Sequence, residues 1–167
     1  MSAPVAVIVG APGAGKTTVG RAVAAALGVG FRDTDADVTA VTGRSVADIF
    51  LLEGEDAFRR LEAAAVAAAL AEHDGILALG GGAVLDETTR ELLASHVVVF
   101  LDVGLADAAS RVGMARDRPL LLGNPRGQLL AMLDARRPVY QQVASVTVPT
   151  DGRDIAAVTA SVLAALT

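Results

Sequence analysis

The 167-residue chain has no cysteine and no tryptophan, only one tyrosine and four phenylalanines. Without cysteine it can form neither a disulfide nor a thiolate-ligated metal centre, which suits a reducing compartment. Aromatics make up 3% of the residues while hydrophobic residues make up 53%, so the core has to be aliphatic and rich in alanine. Long apolar runs are missing too. The longest, Ala63–Ala71, lies between Glu62 and Glu72 and is too short to span a bilayer. The start, MSAP, carries no basic residue, and Val5–Val9 is too short for a secretory signal. A cytoplasmic protein with no membrane partner is expected. A formal net charge of −5 leaves no basic face for nucleic acid. Lysine is almost absent as well: of fourteen basic residues, only Lys16 is not arginine.

What is present alternates. VAVIVG (5–10) is a continuous apolar run ending in glycine, the pattern of a parallel strand buried on both faces. Helical spacing follows over 16–27. A short strand (29–31) leads to the polar turn RDTDAD, two short helices (35–42, 46–52) and a longer one (54–72). GILAL (75–79) is a strand, 87–94 a helix, 96–103 a strand and 105–111 a helix. Residues 113–125, rich in Gly, Pro and Arg, read as a mobile loop. A helix (126–143), a strand (145–149) and a helix (154–166) finish the chain. Such alternation predicts one α/β domain over 1–167, its parallel sheet flanked by helices. Ligands in such sheets bind at the carboxyl ends of the strands.

The chemistry gathers at those ends. GAPGAGKT (10–17) fits G-x-x-x-x-G-K-[ST] and lies between a strand and a helix, as a phosphate-binding loop requires. Backbone N–H groups of such a loop form an anion nest, and the helix N-terminus adds partial positive charge. Lys16 can then reach the β- and γ-phosphates, and the Thr17 hydroxyl can ligate Mg²⁺. In DTD (33–35) either aspartate can be a helix cap. On an extended segment the two carboxylates point to opposite sides, one toward the metal and one toward a substrate hydroxyl. Arg59 and Glu62, three apart on a helix, can pair. Arginines also precede proline in RDRPLLLG (116–123) and ARRPVY (135–140), and a guanidinium grips phosphate or carboxylate bidentately. His73 and His96 lack metal-ligand spacing. Gly80, Gly81 and Gly82 interrupt an apolar stretch, either as a strand-ending turn or as a wall along which a ligand approaches the backbone.

Taken in order, GAPGAGKT, DTD, F-R-x-x-E (58–62), GGG (80–82), RPLL (118–121) and R-x-P-x-Y (136–140) resemble shikimate kinase over roughly residues 4–153. The resemblance implies a P-loop NTPase fold akin to nucleoside monophosphate kinases, with five parallel strands in the order 2-3-1-4-5. It implies transfer of the γ-phosphate of ATP, with Mg²⁺, to the 3-hydroxyl of shikimate on the route to chorismate and the aromatic amino acids. By the same resemblance ATP is held by Gly13, Ala14, Gly15, Lys16, Thr17 and Thr18, with Arg111 and Arg153 flanking the adenine. Lys16, Asp35 and Arg118 are the catalytic residues. Asp35 accepts hydrogen bonds from ring hydroxyls, Arg59 and Arg136 clamp the carboxylate, and Gly80, Gly81 and Gly82 line the substrate. Asp33 assists the metal through water beside Thr17. Residues 33–62 form the substrate-binding region, and 113–125 a lid that brings Arg118 onto the transferring phosphoryl. Arg136 is preferred to its neighbour Arg137 because it stands two residues before Pro138. A monomer working on small molecules is expected.

The alternatives are narrow. With Lys16 the only lysine, the guanine-binding N-K-x-D cannot occur, which excludes a regulatory GTPase. Another small-molecule P-loop kinase, acting on gluconate or a nucleotide, is the competing reading.

Overall fold

The computed structural model describes residues 3–111 and 125–167, without the side chains of 111 and 125. Five strands, β1 (Ala6–Val9), β2 (Phe31–Asp33), β3 (Ile76–Ala78), β4 (Val98–Asp102) and β5 (Val146–Pro149), form one sheet in the order β2-β3-β1-β4-β5. Every neighbouring pair is parallel, with Val7 opposite Leu77 on one side and Val98 on the other. Central β1 is buried throughout, which accounts for its unbroken apolar run.

Helices α1 (Lys16–Leu27), α2 (Thr34–Thr42), α3 (Val46–Glu53), α4 (Glu55–Glu72), α5 (Glu87–Leu93), α6 (Leu105–Arg111), α7 (Pro125–Val143) and α8 (Ile155–Ala165) flank the sheet. The core is aliphatic, as the composition requires; Phe58, Phe100 and Tyr140 are its only buried aromatics. A second, small cluster of Val38, Ile49 and Phe58 ties α2, α3 and α4 into a subassembly over residues 34–72. Each such buried side chain contributes about 1.5–3 kcal/mol, enough to hold these helices together as a local unit.

Two boundaries differ from the sequence-based expectation. β2 begins at Phe31 and runs through Asp33, so part of the expected polar turn is edge strand. Polar residues are tolerated there because β2 pairs only with β3 and Arg32 bonds Asp37 (2.7 Å) and Glu72 (3.0 Å). A single 3₁₀ turn, Ala83–Leu85, follows the glycines, and no periodicity in the sequence signals it. Residues 113–124 of the proposed lid, Arg118 among them, and the Arg111 side chain lie outside the described residues; the last lid position, Pro125, is the first residue of α7. Among the described residues no helix is long and apolar enough to cross a membrane.

Candidate active site

The phosphate-binding loop leaves β1 and enters α1 at Gly15, whose φ of 91° is a left-handed conformation that favours glycine. No side chain caps α1, so its first N–H groups remain directed at whatever occupies the loop. Lys16 Nζ donates to Gly10 O (2.8 Å) and Ala11 O (3.1 Å), which folds the ammonium over the loop. Loss of hydration lowers its pKa from 10.5 to about 8, against the opposing pull of the Asp35 and Asp33 carboxylates.

Asp33 has two tasks. Its Oδ1 accepts from the Asp35 N–H at 2.9 Å, capping α2, and its Oδ2 accepts from the Thr17 hydroxyl at 3.0 Å. The expectation that Asp33 and Asp35 face opposite sides is wrong. Helix α2 starts at Thr34, so the segment turns instead of extending, and both carboxylates line one cleft with Gly13, Lys16 and Thr17. Burial and the nearby Asp33 carboxylate raise the Asp35 pKa, with Lys16 and Arg59 opposing. Among the described residues no cage of three or more metal-ligating side chains exists. A hydroxyl and a carboxylate side by side are nevertheless hard oxygen donors of the kind Mg²⁺ takes when phosphates and waters complete its shell.

Arg59 and Glu62 pair as their spacing suggested, Nη1 to Oε1 at 2.8 Å, and Glu62 is 3% exposed. A carboxylate so deeply buried requires this partner. Burial raises its pKa and the Arg59 hydrogen bond counters the shift. The Arg59 guanidinium also lies 5.3 Å from the Phe58 ring centroid and 5.8 Å from that of Phe50, which restricts its orientation.

The glycines fit around these groups. A Cβ on Gly80 would stand 2.6 Å from Asp35 Oδ1 and 2.7 Å from Glu62 Oε2, and one on Gly82 would overlap the Arg59 guanidinium. The nearest neighbours of Gly80 and Gly82 are therefore the site's own charged side chains, and their lack of a Cβ makes room for Asp35, Glu62 and Arg59. Thr34, buried between the two aspartates, accepts from the Gly80 N–H at 3.2 Å, joining the start of α2 to this turn.

On α7 the adjacent arginines diverge. Arg137 binds Asp102, whereas Arg136 acts electrostatically on Lys16, Glu62 and Tyr140. Tyr140 in turn donates to Gly81 O at 2.5 Å. Sequence reasoning missed its part, although the chain's sole tyrosine one helical turn beyond Arg136 was a usable signal. Thr34 offered no such signal. Arg153 donates to Pro149 O (2.9 Å), Ala157 O (2.9 Å) and Ser161 Oγ (2.5 Å), bonds that join the end of β5 to α8.

A phosphate cradle on a 2-3-1-4-5 parallel sheet, faced by a carboxylate and arginines on separate helices, defines a P-loop kinase of small molecules as the class. The model of the shikimate kinase family matches residues 12–167. A shikimate kinase of Frankia casuarinae is 61% identical over 160 residues, covering 96% of this chain and 71% of the relative. One from Saccharopolyspora erythraea is 61% identical over 150 residues, covering 89% and 86%. A solved structure of shikimate kinase from Acinetobacter baumannii in complex with shikimate superposes with a TM-score of 0.88 at 33% identity, covering 99% of this chain and 93% of that one. The chain belongs to the shikimate kinase family.

Proposed function

We propose that this chain transfers the γ-phosphoryl of ATP to the 3-hydroxyl of shikimate, with Mg²⁺. The observation that carries this reading is the meeting of Asp35 and Arg59 at the Gly80–Gly82 turn, in a cleft that continues to Lys16 and Thr17. A compact ring acid with hydroxyls calls for a cationic fork at one end and an acceptor oxygen at the other.

The roles follow from the chemistry of each group. Phosphoryl transfer through a loose transition state is catalysed by positioning and by positive charge on the phosphate oxygens. The backbone of residues 13–18 and the start of α1 hold the phosphates, and Lys16 exchanges its loop carbonyls for the β- and γ-oxygens. Thr17, with Asp33 through water, would hold Mg²⁺, which supplies charge neutralisation at those oxygens. Asp35 orients the 3-hydroxyl and accepts its proton, a task its raised pKa favours because the carboxylate holds a proton more firmly. Arg59, kept in orientation by Glu62, and Arg136 grip the substrate carboxylate. Arg118 completes the charge on the transferring group.

A coupled ADP-release assay with ATP, Mg²⁺ and shikimate tests the reading, with quinate and gluconate as controls. Turnover dependent on shikimate is expected. Turnover with gluconate but not shikimate would replace the reading with that of a different sugar-acid kinase.

A further inference from the structure

Tyr140 stands where three parts of the site meet. It is 2% exposed, and its ring stacks on Phe100 of β4 with centroids 5.0 Å apart and planes at 30°. The ring is thus seated on the sheet itself. Its hydroxyl lies 2.5 Å from Gly81 O. A carbonyl only accepts, so the phenolic proton is committed to Gly81 and the oxygen lone pairs face elsewhere. Arg136, one turn earlier on the same face of α7, acts electrostatically on the phenol and keeps its fork of N–H groups for another partner.

We propose that Tyr140 is a positioning residue, whose buried hydroxyl holds the Gly81 peptide in the orientation that the acceptor substrate meets. This rests on the function proposed above. The Gly80–Gly82 run has no side chains to hold its own peptide planes. One buried hydroxyl, on a ring stacked against β4, restrains the central one. The effect belongs to acceptor binding, since the phenol's bond involves neither the phosphate loop nor Asp35.

Tyr140→Phe keeps the ring and its stack on Phe100 and removes only the hydroxyl. Losing one such hydrogen bond should raise the KM for shikimate roughly five- to twentyfold, with kcat reduced less than about threefold and the KM for ATP unchanged. Because the hydroxyl acts on the Gly81 peptide directly, Tyr140→Phe should raise KM by a similar factor in the Arg136→Ala background. A factor that disappears in that background, or an unchanged shikimate KM in the single variant, would overturn the proposal.

Amide hydrogen exchange in the ligand-free protein reads the restraint directly, whatever the acceptor. Exchange at residues 81–83 should quicken in Tyr140→Phe and stay near the parent rate in Arg136→Met, which leaves the bond to Gly81 in place. Unchanged exchange in Tyr140→Phe overturns the proposal. A parent protein that releases no ADP with shikimate overturns the proposed function instead, and the exchange measurement then decides the role of Tyr140 by itself.

Discussion

Arg137 approaches Asp102 Oδ1 with both Nε and Nη2 at 3.2 Å, which ties α7 to the carboxyl end of β4. Its neighbour Arg136 is left to act on Tyr140 and Glu62. Two adjacent arginines on a helix lie about 100° apart, so they cannot serve the same ligand equally. Arg136→Ala is expected to raise the shikimate KM roughly ten- to hundredfold, the loss of a charge-assisted contact. Arg137→Ala should leave that KM within about threefold and lower Tm by a few degrees at most, because a half-exposed ion pair contributes about 1 kcal/mol or less. Steady-state kinetics of both variants at saturating MgATP decide the matter; the reverse ranking would make Arg137 the clamp.

Lys16 predicts a pH dependence. With its pKa lowered to about 8, the free enzyme's ammonium loses its proton as pH rises through that value. Only the charged form attracts phosphate, so kcat/KM for ATP should decline above about pH 8. Bound phosphates favour the charged ammonium, so the corresponding limb of kcat should lie at higher pH. A kcat/KM profile that is flat from about pH 7 to 10 would contradict this. Lys16→Met should cut kcat by orders of magnitude with the fold, read by circular dichroism, intact.

Asp35 and Arg59 should fail differently. Asp35→Asn preserves shape but removes the basic oxygen, so kcat should fall by about 10²–10⁴. The parent's acid limb, set by a carboxyl held above the ordinary aspartate value, should vanish with it. Arg59→Ala should mainly raise the shikimate KM, by roughly ten- to hundredfold, and Arg59→Lys should recover little because an ammonium cannot reproduce the planar fork. Near-parental turnover of Asp35→Asn would show that another group takes the proton.

Gly80 and Gly82 should also separate. Gly82 has φ −101°, which alanine adopts without strain, and its methyl would meet only the far end of Arg59. Gly82→Ala should therefore displace that guanidinium, raise the shikimate KM roughly tenfold and, by loosening its bond to buried Glu62, lower Tm, though less than Gly80→Ala does. Gly80→Ala drives a methyl to within 2.6–2.7 Å of two packed carboxylates. It should destabilise the fold by about 1–3 kcal/mol as well as reduce activity, read by denaturant unfolding beside kinetics. Equal loss of Tm in both variants would refute the distinction.

Much of the molecule is local and therefore legible in order along the chain. The apolar run 5–10, the glycines and Lys16 that follow it, and the helical spacing of 16–27 specify a buried strand, an anion loop and a helix through short-range physics alone. Arg59 and Glu62, one helical turn apart, were legible for the same reason, and their bond is present. Strand order is not a local property. It is legible only through family resemblance, and the observed 2-3-1-4-5 order agrees with it. What tertiary structure alone decided is direction and company. Asp33 and Asp35 share a cleft because a helix begins between them, which the alternation rule for extended chain could not include. Gly80 and Gly82 lack a Cβ because Asp35, Glu62 and Arg59, all distant in sequence, fill that space. Arg136 and Arg137 part company because Asp102, at the end of β4, engages only the second of them. Such contacts join residues that only the assembled sheet and its helices bring within hydrogen-bond range, and no pattern within one segment contains them.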